Sequence, residues 1–132
     1  MRLVAWGDYM DLRAGLAALA AIVVASSTAQ ASCRIIDATF RFHLNEQVTS
    51  TGVSTKGGAC TTRFRSGATS HFTSISIASK PGHGTLSQVD GSRFRYKPSA
   101  GFKGVDRYAL RMCGTDQAGS GCATLTYSIT VE

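Results

Sequence analysis

In this chain every second residue is the informative one. Over residues 106–113 the apolar side chains are Tyr108, Leu110 and Met112, and over 122–131 they are Leu125, Tyr127, Ile129 and Val131. An extended strand turns successive side chains to opposite faces, so this period sorts one face for a core and one for water. A helix would need recurrence every three to four residues, and no long stretch after residue 31 shows it. The same alternation predicts strands over 35–44 (Phe40, Phe42), 60–65 (Phe64), 72–78 (Ile75, Ile77) and 92–97 (Phe94, Tyr96), with weaker ones over 47–54 and 84–88. Turn-forming runs separate them: Lys56-Gly57-Gly58, Pro81-Gly82-His83-Gly84, Asp90-Gly91, Pro98-Ser99-Ala100-Gly101 and Ala118-Gly119-Ser120-Gly121. Short strands at close spacing imply an all-β sandwich or barrel of about seven to eight strands.

The first 31 residues are of another kind. Residues 14–24 read AGLAALAAIVV, followed by a polar stretch and Ala29-Gln30-Ala31. An apolar run, a polar region and a small-x-small site make a cleavable helical signal peptide, with the cut expected after Ala31. The run is too short for a membrane anchor, which needs about 18–20 apolar residues. Asp8 and Asp11 are unusual where positive charge is expected, and a start at Met10 leaves a better leader. The division is therefore 1–31 signal peptide and 32–132 folded domain, secreted or periplasmic, with no stable membrane span after processing. Trp6, the sole tryptophan, leaves with the leader.

Cys33, Cys60, Cys113 and Cys122 all lie beyond the leader. An even number behind an export signal reads as two disulfides. Four cysteines allow three pairings. If Tyr108, Leu110 and Met112 point inward, Cys113 points out; by the same count Cys122 points out from the last strand. Cys113–Cys122 is the expected pair across an eight-residue hairpin loop, and Cys33–Cys60 follows by elimination. No closely spaced cysteine pair points to zinc, and neither a metal nor a cofactor is expected.

From Lys80 onward the order of residues becomes specific: Pro81, Gly84 and Thr85, then Asp90-Gly91, Phe94-x-Tyr96-x-Pro98, Gly101-Phe102-x-Gly104-x-Asp106, Tyr108, and a closing Ala123-x-Leu125 to Ile129-x-Val131 strand. This stretch resembles the bacterial Ig-like and cadherin-like modules of secreted and surface proteins, here in single copy. The resemblance implies an Ig-like antiparallel β-sandwich used for binding or adhesion. The residues explain the pattern on their own terms. Pro98 ends a strand because it cannot donate to the ladder. Phe102 is expected to plug one end of the sandwich, and Asp106 to cap a loop by accepting N–H bonds.

Candidates for chemistry are few. His43, His71 and His83 fall on separate segments without acidic neighbours, no Gly-x-Ser-x-Gly elbow occurs, and no close carboxylate pair suggests glycosidase chemistry. An enzyme is not expected. The net charge of +6 is the one functional signal. Arg63, Arg65, Arg107 and Arg111 take outward parity, and neighbouring third and seventh strands would gather them on one face. Arg93, Arg95 and Lys97 form a second stripe. Such a face suits an anionic envelope component such as an acidic polysaccharide; pairing with a larger surface protein is the alternative partner. Nucleic acid is not expected, because export leaves little occasion for it and no aromatics interleave with the outward charges. The sequence does not specify an oligomeric state.

Overall fold

The computed structural model describes residues 25, 26 and 28–132, and among them builds strands β1 (Ser32–Ile35), β2 (Gln47–Thr55), β3 (Cys60–Arg63), β4 (His71–Ser79), β5 (Gly84–Asp90), β6 (Arg93–Pro98), β7 (Gly104–Asp116) and β8 (Gly119–Val131). A five-stranded sheet has the order β1-β2-β8-β7-β4, and a three-stranded sheet the order β3-β6-β5. The chain is all-β, as the alternation requires. One expectation is corrected at once: the sandwich is not wholly antiparallel, because β2 runs parallel to β8, from Gln47 beside Thr124 to Ser54 beside Val131. Most of the expected leader lies outside the described residues. Among those described, no helix is long and apolar enough to cross a membrane.

The β7–β8 hairpin is the spine. Its ladder runs unbroken from Gly104 beside Val131 to Asp116 beside Gly119, so the turn holds only Gln117 and Ala118. The expected eight-residue loop is therefore wrong, and Cys113 and Cys122 sit opposite each other within the ladder. Both expected disulfides form, Cys113–Cys122 and Cys33–Cys60. The second ties β1 of one sheet to β3 of the other. On a chain-entropy model the two bonds contribute about 2.5 and about 3.5 kcal/mol. They suit an oxidising compartment.

Inward positions follow the alternation. Tyr108, Leu110, Met112, Leu125, Tyr127, Ile129 and Val131 are buried, and from the other sheet so are Phe94 and Tyr96. Tyr96, Tyr108 and Tyr127 stack in sequence across the core, with centroids 5.1 and 4.9 Å apart. Each such contact contributes about 0.5–1.5 kcal/mol beyond area burial. Burial is the main cause that pushes all three hydroxyls well above the usual tyrosine range. In β2 the inward face is small instead, with Ser50, Gly52 and Ser54. A Cβ on Gly52 would press on Ile129 and Ile35, which already fill that space.

The strand expected over 35–44 does not form. β1 ends at Ile35, residues 36–41 are irregular, and Phe42–Asn45 make a turn. Phe40 and Phe42 still face inward, edge to face at 5.3 Å, and Phe42 meets Phe72 at 5.4 Å. The reason lies far along the chain. Gly114 and Gly121 oppose each other in the β7–β8 ladder. They leave a hollow that Phe42 occupies: a Cβ on Gly121 would strike the Phe42 carbonyl, and one on Gly114 would come within 2.9 Å of its ring. Asn45 takes a left-handed conformation (φ 51°), tolerated by its short polar side chain. Its carboxamide oxygen accepts the Cys122 N–H at 2.9 Å.

At the opposite end, Asp106 caps as expected, although the loop it caps precedes β5. Its buried carboxylate accepts the N–H groups of Gly82 (3.0 Å) and His83 (3.1 Å) and the Tyr96 hydroxyl (2.8 Å). Phe102 packs against the core and stacks on His83 at 4.2 Å. Gly101 and Gly104, on either side of it, both carry positive φ.

Candidate functional site: a basic sheet face and its end groove

The four arginines singled out by parity do not share one face. β3 pairs with β6 in the small sheet, whereas β7 lies between β8 and β4 in the large one. Arg107 and Arg111 therefore stand on the outer face of the large sheet, where the ladder places them beside Ser128 and Thr124. Arg63 stands on the outer face of the small sheet, beside Arg93. Arg65 lies past the end of β3, so strand alternation does not govern it. Outward parity gave the face of a strand; it carried no information on which strand lies alongside.

The regrouping joins Arg63 to the second stripe. On β6, Phe94 and Tyr96 are buried while Arg95 and Lys97 are exposed, as expected, and Arg93 is half-buried. The register sets Thr61 and Ser87 on either side of Arg95, and Thr85 beside Lys97. The outer face of the small sheet is thus built of cations and short hydroxyl side chains.

Carboxylates do little to neutralise it, because most are used as local clamps. Asp90 accepts the backbone N–H groups of Ser92 and Arg93, both at 2.9 Å, and binds the Arg93 Nε at 2.6 Å. The Ser92 N–H first, and then Arg93, pull its pKa down to about 2. Glu46 binds Arg41 through both backbone N–H and guanidinium, which lowers its pKa. Asp116 meets the His43 ring Nδ1 at 2.8 Å and accepts the backbone N–H groups of His43 and Ala118; the His43 ring holds its carboxyl well below the ordinary range. Among the described arginines and lysines only Arg41 and Arg93 have a carboxylate within 4.0 Å; Arg63, Arg65, Arg95, Lys97, Arg107 and Arg111 have none.

Arg63 and Arg65 also border a groove of about 550 Å³ at the end of the sandwich where the 36–46 connection crosses. Phe40, Phe64 and Phe72 line it, with Thr62 and Tyr127 at its floor, and Asp37 and Arg41 share its rim. The Thr62 hydroxyl oxygen is buried there without a hydrogen-bond partner. An opening with an apolar wall and guanidinium groups free of carboxylates can accommodate a ligand carrying acidic groups.

The histidines divide between the two ends. His43 pairs with Asp116, and His71 lies beside Thr115. His83 stacks on Phe102 at the far end. Among the described residues no group of three or more His, Cys, Asp or Glu side chains is placed to hold a metal ion. The His43–Asp116 pair, the Asn45 cap and the grooves at both ends were not legible in the sequence; only the Arg93-x-Arg95-x-Lys97 spacing signalled the basic face. No known protein family matches the chain, and no curated protein is detectably similar to it in sequence.

Proposed function

We propose that this chain is an exported, non-catalytic Ig-like module that binds an anionic component of the cell envelope or its surroundings. The strand arrangement supports the Ig-like reading: β2 runs parallel to β8 beside β7 and β4, and faces a β3-β6-β5 sheet. The resemblance of residues 80–131 to Ig-like and cadherin-like modules points the same way. The two disulfides and the leader-like N-terminus support export.

One observation carries the binding reading. Most carboxylates are engaged in local clamps or buried, and Arg63, Arg95 and Lys97 on the small sheet's outer face have no carboxylate within 4.0 Å, beside a groove that Arg63 and Arg65 border. The His43–Asp116 pair has the form of half a catalytic relay. Among the described residues, though, its imidazole bonds only to Asp116, and no serine or thiol completes it.

Retention on immobilised heparin, eluted by a salt gradient, tests the reading. The disulfide-bonded chain is expected to be retained and to elute with salt. Arg63→Gln with Arg65→Gln should advance elution well beyond Arg107→Gln with Arg111→Gln, which removes the same charge from the other sheet. Equal shifts for the two pairs would reduce the effect to net charge, and a chain that is not retained would end the proposal.

A further inference from the structure

We infer that the outer face of the small sheet is a linear track for an acidic polysaccharide, running along β6 from the Arg65 groove to a second groove at Lys103. This deepens the reading above and rests on it.

The outward positions of β6 lie in one row. Strand geometry spaces Arg93, Arg95 and Lys97 at about 6.8 Å intervals. At the first end Arg63 stands beside Arg93 and leads into the groove already described. At the second end the Lys97 ammonium donates to the Gly57 carbonyl at 2.6 Å. Lys97 there borders, with Lys56 and Lys103, a groove of about 430 Å³. Cations therefore continue across the sheet and into an opening at each end.

Four carboxylates touch this path. Asp90 is held by Arg93, Asp37 and Asp116 line the first groove, where His43 holds Asp116, and Glu132 shares the second. The middle of the track, Arg95 and Lys97, has no carboxylate within 4.0 Å.

The neighbours of these cations select the polymer. Thr61 and Ser87 flank Arg95, and Thr85 lies beside Lys97. No aromatic side chain points outward from β3 or β6, so the face offers no platform for stacking bases. Hydroxyl donors and acceptors in register with cations suit a chain that is both charged and rich in hydroxyls. A row, rather than a pocket, suits a polymer over a single anion.

Size-graded heparin oligosaccharides and oligogalacturonates, titrated calorimetrically against the disulfide-bonded chain at several salt concentrations, test the inference. Affinity is expected to rise at least tenfold with oligomer length and then level off once both grooves are spanned. Arg95→Gln with Lys97→Gln should weaken the longest oligomers more than tenfold. It should also lower the slope of log K against log salt by about 1 per cation removed. Near-UV circular dichroism should be unchanged, since both side chains are exposed. If affinity is independent of length, or this variant binds normally while the Arg63/Arg65 variant does not, the track is wrong and the groove reading stands. If neither variant matters, both fall. Tighter binding of poly(dT), or of vesicles containing phosphatidylglycerol, than of any oligosaccharide would overturn the choice of polymer.

Discussion

The β7–β8 hairpin and the 36–46 connection carry the same kind of signal and obey it differently. In the hairpin, alternating large apolar residues become alternating inward side chains along an unbroken ladder. In the connection, Phe40 and Phe42 alternate in sequence and also point inward, yet no strand forms there. The hairpin makes its own hydrogen bonds between two adjacent segments. The connection borrows its partners from distant ones: Asp116 for His43, the Cys122 N–H for Asn45, and the hollow at Gly114 and Gly121 for Phe42. Inward alternation therefore reports which side chains reach the core, and leaves open whether the backbone between them belongs to a sheet.

The largest test of this contrast is Phe42→Ala. If the connection is as firmly packed as the hairpin, the substitution should cost about 3–5 kcal/mol in urea unfolding, in the same range as Leu110→Ala. A cost under about 1 kcal/mol, the level of an ordinary surface change, would mark the connection as a loosely attached loop.

Gly121→Ala probes the same contact from the hairpin side. The added methyl group meets the Phe42 carbonyl, and overpacking of this kind costs about 1–3 kcal/mol. Phe42→Ala leaves that backbone carbonyl in place, so the clash persists in the double variant and the two penalties should add to within about 0.5 kcal/mol in a double-mutant cycle. A clear shortfall would show that the backbone at Phe42 is held against the hairpin by its own ring.

The smallest effect is the response to acid. Asp116 holds the connection to the hairpin end, and its folded pKa lies below its unfolded one. Its contribution is therefore present above the ordinary carboxylate range and is lost as pH falls through the folded value. Asp90, at about 2, and Glu46 act in the same direction. Stability should decline below about pH 4. Asp116→Asn should flatten part of that decline below about pH 4. A profile identical to that of the parent chain would show that the clamp does not hold the connection.

Much of the fold was legible. The parity of Tyr108 to Met112 and Leu125 to Val131 gave the inward faces of the hairpin, and the same parity put Cys113 and Cys122 on one face, where they are bonded. Asp106 was recognisable as a cap from its place at the start of the predicted seventh strand. The hidden parts were all long-range. Nothing near Phe42 in the sequence announces the two glycines that receive it, and nothing near His43 announces Asp116. The same limit governed the candidate site. Arg63, Arg65, Arg107 and Arg111 were given outward parity, but were grouped on the assumption that the third and seventh strands are neighbours.

By itself, the sequence determined the class of the fold, the side chains that enter its core and the Cys113–Cys122 pair, because each depends on period-two geometry within one or two adjacent segments; Cys33–Cys60 followed only by elimination. The tertiary structure alone decided which strands lie together, and so divided four arginines between two sheets and joined Arg63 to Arg95 and Lys97. The physical reason is that a strand's alternation fixes which way its side chains point, while its neighbours are chosen by hydrogen bonding and packing with segments tens of residues away.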